Sequence, residues 1–247
     1  MSHEAKPHDR VLPIVLGVIP ARGNSKRLPR KNIRKLYGHP LIAYTIRAAQ
    51  RSRLLTDFLV SSEDEEIINV ARDYDAPIPF VRPAELSGDN VRNIDVMAHA
   101  MAFMEAKKGI IYDVLVLLQP TCPIRDPSHI DKAVFCIWQS VLDTAVSVKG
   151  PFKKRDPILK RIKNEVLEPL YLTDGVERND AFYLYNASIY AAKRDYFVKN
   201  KKLISEKQIP IVMDVFHSID IDTQADFLVA DAYLKHLVES GIRKEIL

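Results

Sequence analysis

Between Ile14 and Leu36 the chain reads IVLGVIPARGNSKRLPRKNIRKL, which crowds Arg22, Lys26, Arg27, Arg30 and Lys31 around Gly23, Asn24 and Ser25 with no carboxylate among them. Clustered cations repel unless an anion joins them, and a loop with a permissive glycine, short polar side chains and free N–H groups suits a polyphosphate. Far downstream, Ser218-Ile219-Asp220-Ile221-Asp222-Thr223 alternates strictly, so Asp220 and Asp222 share one face of an extended segment. Two carboxylates roughly 6–7 Å apart repel by about 2.5 kcal/mol at an effective dielectric of 20, and a divalent cation between them reverses that sign. Mg²⁺ fits the pair, because it takes one or two carboxylates and completes its shell with phosphate oxygens and water. Thr223, with Asp226 three residues on, already supplies a cap for the next helix, which leaves the aspartates free for a metal. The expected ligand is a nucleoside triphosphate.

Neither familiar phosphate loop is present: G-x-x-x-x-G-K-[ST] lacks its second glycine, and no G-x-G-x-x-G follows a strand. The basic loop is therefore of another kind. Net charge is only +4, but eleven Lys or Arg and no acid fall between Arg10 and Thr56, leaving 25 bases against 32 acids, or −7, elsewhere. Such a local field suits a compact anion; a nucleic-acid surface would interleave aromatics, and only Tyr37 and Tyr44 lie nearby. Cys122 and Cys136 lack C-x-x-C spacing and fit a reduced, cytoplasmic setting. The N-terminal apolar run is about half the ~20 residues a membrane span needs, so neither secretion nor membrane insertion is expected.

Positioning these groups falls to an alternation of strands and helices. The periodicity predicts strands over Ile14–Ile19, Phe58–Ser61, Pro77–Val81, Tyr112–Leu118 and Thr144–Val148, separated by helices over Pro40–Arg53, from a Ser61 or Ser62 cap through Tyr74, over Val91–Lys107 and over Ser128–Ser140. Methionines 97, 101 and 104 read as core, and His99 as a partly buried histidine with its polar atoms satisfied, not a ligand. Spacings too long for hairpins imply an α/β doubly wound, mostly parallel sheet whose ligands bind beyond the carboxyl ends of the strands, where the Pro20 loop, Ser87 and Gln119 fall. Residues 1–247 read as one domain. Its Gly150–Asn186 stretch, rich in Lys, Arg and Pro, reads as an extended insert reaching a second subunit or covering the site, before strand patterns return at Tyr183–Ala191 and Ile209–Val215.

The motifs PARGNSKRLPRKN, PLIAYTI, VRPAEL, LLQPTCPIRD, NASIYAA and SIDIDTQADF, in that order from about Val15 to Asp231, resemble the acylneuraminate cytidylyltransferases and their relatives acting on other nonulosonic acids. The resemblance implies a Rossmann-like nucleotidyltransferase fold, a homodimer, and transfer of CMP from CTP to the anomeric hydroxyl of a nine-carbon α-keto acid sugar with release of pyrophosphate. It also implies nucleotide contacts from Arg22, Asn24, Ser25, Lys26, Lys31 and Asn32, base and ribose contacts from Arg82 and Ser87, and metal binding by Asp220 and Asp222. Sugar contacts fall to Gln119, Lys160, Arg178 and Tyr190. Lys26, Arg22 and Lys31 would neutralise the triphosphate and departing pyrophosphate, while Asp222 or a metal-bound water accepts the hydroxyl proton.

Three positions depart from the family pattern. Asn186-Ala187-Ser188 stands where Asn-Gly-Ala is usual, Cys122 replaces a serine, and Ser87-Gly88-Asp89 replaces a Ser/Thr-Asp-Thr turn. All leave the nucleotide chemistry intact and leave the acceptor sugar open. A cytidylyltransferase for the eight-carbon acid KDO is the alternative enzyme, but those enzymes lack the Arg30-Lys31-Asn32 that follows Pro29 here. A non-catalytic nucleotide-binding regulator would not need the aspartate pair.

Overall fold

Val15–Pro20 (β1) is buried almost throughout because strands flank both its edges and helices cover both its faces. The computed structural model describes residues 12–152, 160–163, 166–169 and 182–242. After β1 come a 3₁₀ turn at Lys31–Ile33, a two-residue hairpin of β2 (Lys35–Leu36) and β3 (His39–Pro40), then α1 (Leu41–Arg51), β4 (Asp57–Ser61), α2 (Glu65–Asp73) and α3 (Asn93–Lys108). The chain continues through β5 (Val114–Leu118), α4 (Pro127–Gln139), β6 (Thr144–Phe152), a ribbon of β7 (Lys160–Lys163) and β8 (Val166–Pro169), β9 (Phe182–Lys193), α5 (Arg194–Asn200), β10 (Ile209–Met213) and α6 (Gln224–Glu239).

The main sheet has the order β10-β6-β9-β5-β1-β4. It is parallel except at β9, which runs antiparallel to both β5 and β6. β6 and β9 are neighbours, so the chain between them turns back instead of crossing over the sheet. Alternate residues feed two cores: Val15, Ile19, Val114 and Val116 pack with α1, α2 and α4, while Leu16, Val18, Leu115 and Leu117 pack with the methionines of α3. A doubly wound α/β sheet of nucleotidyltransferase type is thus covered on both faces, as parallel strands require.

Two local expectations change. Pro77–Val81 forms no strand, because prolines at 77, 79 and 83 remove ladder donors; the segment is held beside β4 by Val60 N–H donating to Pro77 and Arg82 N–H donating to Ser62. The cap of α2 is Asp64, whose carboxylate accepts from Ile67 N–H, and neither Ser61 nor Ser62 takes that role. Capping of α6 follows the sequence reading, with Thr223 and Asp226 in a reciprocal box.

Ala187 adopts φ 59°, the left-handed region where a Cβ costs energy. Glycine at this position is expected to raise stability by about 0.5–1 kcal/mol after its greater unfolded-state entropy is subtracted, which is one to four degrees in Tm. A calorimetric midpoint unchanged or lowered in Ala187→Gly would count against strain there.

Candidate functional site

A cavity of about 780 Å³ opens beyond the carboxyl ends of β1 and β5. The loop after β1 contributes Arg22, Ser25, Lys26, Arg27, Lys31 and Asn32 to its wall. Arg82 and the Ser87–Asn93 segment close a second side, Gln119 and Thr121 a third, and Asp220 and Asp222 complete it. The basic loop and the distant aspartates therefore meet in one place. Lys31 Nζ donates to the Ile221 carbonyl at 2.6 Å and to Asp222 Oδ1 at 3.1 Å, and Arg27 Nη1 lies 2.7 Å from Asp222 Oδ2.

Apolar packing brings these ends together. Ile221 is fully buried with Leu28, Leu36, Leu41 and the inner face of α6, so the isoleucine between the aspartates anchors the segment while its carboxylates turn to the cavity. Ile221 N–H also donates to the Thr121 carbonyl at 2.8 Å, tying this strip to the end of β5. Strict alternation does the rest.

Asp220 is mostly buried, and burial raises its carboxyl above the ordinary range, with the charge of Asp222 adding to that and a hydrogen bond from Thr121 opposing it. Such a group has unmet demand for positive charge. Cys122, beside it at 3.7 Å, is pushed up to about 12 by burial and by Asp220, so its thiol is inert as a nucleophile.

Contrary to their unpartnered look in sequence, the loop cations each find a carboxylate from elsewhere in the chain. Asp89 bridges Arg22 (2.9 Å) and Lys26 (2.6 Å). Arg30 turns away from the cavity to Asp64 and Glu66 at the start of α2. A Cβ at Gly23 would collide with the Asp64 carboxylate, so the glycine also makes room for the acid that holds Arg30. Its N–H donates to Glu63 Oε1 at 2.8 Å, and the other Glu63 oxygen accepts from Arg82.

These contacts make the loop's anchorage acid-sensitive. The Arg30 guanidinium holds the Asp64 carboxyl below its usual range; at Glu63, burial pulls upward but Arg82 and the Gly23 N–H outweigh it. Folded values below the unfolded ones mean the stabilisation is present above about pH 4 and is lost as pH falls through the folded values. Proteolysis within Arg22–Lys31 is expected to accelerate from about pH 4 downward in wild type, and Asp64→Asn to be cut readily already at pH 7; equal cutting of the two at pH 7 would remove Asp64 from the anchorage.

Arg22, Ser25, Lys26, Lys31, Asn32, Arg82, Ser87, Gln119, Asp220 and Asp222 all line the cavity, as their sequence motifs led one to expect. Asn24 does not line it, and Tyr190 sits in mid-β9, paired with Leu117 and Val146 and packed on the α3 side. Lys160 lies in β7 with its side chain outside the described residues, and Arg178 lies outside them altogether. Thr121, Arg92 and Asn93, which sequence reading did not single out, also line the cavity. The last two begin α3, whose first turn lines the cavity, and Arg92 there pairs with Asp95 one turn on.

The cytidylyltransferase family profile matches residues 16–209. A CMP-N,N'-diacetyllegionaminic acid synthase of Legionella pneumophila is 34% identical over 90% of this chain and 96% of its own length. An N-acylneuraminate cytidylyltransferase of Escherichia coli is 30% identical over 87% of this chain and 51% of its own. Among solved structures, a CMP:2-keto-3-deoxy-manno-octonic acid synthetase complexed with CTP superposes with a TM-score of 0.69 at 16% identity, covering 90% of this chain and 99% of that one, a likeness of fold. No helix among the described residues is long and apolar enough to cross a membrane. With its profile match spanning most of the chain and its basic loop closed on the paired aspartates, the chain belongs to the cytidylyltransferase family.

Proposed function

We propose that this chain transfers CMP from CTP to the anomeric hydroxyl of a nonulosonic acid, with the di-N-acetylated legionaminic type as first candidate. The observation that carries the reading is the junction of Lys31 and Arg27 with Asp222, which sets cations for a triphosphate beside carboxylates for its metal. The names of the full-length relatives support the acceptor class.

Residue types at the junction suit Mg²⁺. Among the described residues no three His, Cys, Asp or Glu side chains could enclose a metal by themselves, so any ion here depends on two carboxylates plus phosphate and water, the shell that Mg²⁺ prefers. When bound by Asp220 and Asp222, it would polarise the α-phosphoryl group. Arg22 and Lys26 exchange Asp89 for triphosphate oxygens and stabilise departing pyrophosphate, while Lys31 holds Asp222 in place. Asp222, or water beside it, takes the proton of the attacking hydroxyl. Gln119, at the β5 end of the cavity, faces the acceptor.

A homodimer accompanies this reading. Tyr183, Leu184 and Tyr185, in the last residues of the basic insert on β9, and Val212 on β10 expose apolar surface. A monomeric mass in solution would refute it. The reaction itself is tested by pyrophosphate release from CTP with Mg²⁺ across a panel of nonulosonic acids and KDO. Acceptor-dependent release with a nonulosonic acid is expected; release with KDO alone, or none with any acceptor, overturns the assignment.

A further inference from the structure

Among the largest fully buried side chains is a cation, Arg125, 1% exposed at the turn between β5 and α4. Its hydrogen-bond partners among the described residues are uncharged oxygens. Nε donates to Ser188 Oγ on β9 at 3.1 Å, Nη2 donates to the Gln119 carbonyl and to the Cys122 carbonyl at 3.2 Å, and Nη1 is buried without a partner. A guanidinium so desolvated is costly, and apolar residues of similar volume often serve stability as well or better. Burial lowers it only to about 10, with Cys122 and Asp220 opposing, so it keeps its charge at neutral pH.

What the side chain does is geometric. It fastens the Gln119–Cys122 turn, which carries three cavity residues, to β9, where Gln119 N–H also donates to the Ser188 carbonyl at 3.4 Å. From that turn the Thr121 carbonyl receives Ile221 N–H, and Cys122 Sγ donates to the Asn186 carbonyl at 3.1 Å. Asn186 Nδ2 in turn donates to Ser218 Oγ at 2.9 Å, at the head of the aspartate segment. Two separate stretches of chain, the Gln119–Cys122 turn and β9, thus meet on one guanidinium fork, and the aspartate segment is hydrogen-bonded in turn to each of them.

We infer that Arg125 is a positioning residue: it sets the turn that carries Gln119 and Thr121 and, through Thr121 and the Asn186–Ser218 contact, the segment presenting Asp220. This rests on the transfer reading above. Lysine keeps the charge but, as a single point donor, cannot span the three acceptors. Arg125→Lys is therefore expected to keep its thermal midpoint within a few degrees, to lose at least twentyfold in kcat, and to change KM for CTP less than threefold, because the basic loop lies outside its reach. Mn²⁺ affinity of the CTP-free protein, followed by electron paramagnetic resonance, should fall at least fivefold in Arg125→Lys and in Arg125→Met.

A lysine variant within twofold of wild-type kcat would reduce Arg125 to a charge balancing Asp220 and overturn the inference. Loss of kcat and rise of KM together, with a depressed midpoint, would mark general destabilisation and overturn it as well. If wild type releases no pyrophosphate with any acceptor, the transfer reading fails separately, and unchanged Mn²⁺ affinity in both variants then rejects the positioning role on its own.

Discussion

Asp222→Asn is expected to lower turnover at least a hundredfold while leaving the fold intact. The amide is isosteric with the carboxylate and its oxygen can still accept from Lys31 Nζ, which lies 3.1 Å away, so the junction of loop and acid segment survives. Arg27, with a side chain 73% exposed, loses an ion pair of the kind that contributes little to stability. What disappears is negative charge beside Asp220: the proposed metal pair would be halved and the proposed proton acceptor lost. Each effect alone is worth two to four orders of magnitude in comparable sites. Turnover within a few-fold of wild type, at saturating CTP and the best acceptor, would sink the assignment of this residue.

Lys31→Met is expected to cut kcat/KM for CTP by two to three orders of magnitude and, unlike the Asp222 change, to lower stability too. Lys31 is 8% exposed, and its ammonium joins the basic loop to the Ile221 carbonyl and to Asp222. Methionine fills much the same volume but leaves that carbonyl without its donor, a loss of about 1–3 kcal/mol. It also removes a deeply set cation beside the paired aspartates, where low exposure makes each charge count for more than the exposed Lys26 does. Kinetics measured well below the melting midpoint separate the two effects. A variant that only melts earlier, with kcat/KM within threefold, would leave Lys31 as a structural strut.

Both residues were legible before any coordinates, for different reasons. The aspartates share a face because extended chain repeats every two residues, and that periodicity is written in Ile219 and Ile221. The loop cations stand out by composition alone. β1, β5 and α6 with its Thr223–Asp226 box were equally readable, since each is specified by neighbours a few residues apart. The Pro77–Val81 segment misled because its apolar residues carry a strand pattern that its prolines deny.

Which carboxylate faces which cation could not be read, because those pairs span long stretches of chain: Arg22 and Lys26 with Asp89, Arg30 with Asp64, Arg82 with Glu63. Nor could the close approach of Gly23 to Asp64 at the start of α2, or the antiparallel placement of β9. Local chemistry determined the strands, the caps and the two reactive clusters. Burial of Ile221 against Leu28 and α6, a contact between distant segments that no local pattern encodes, decided that those clusters share one cavity.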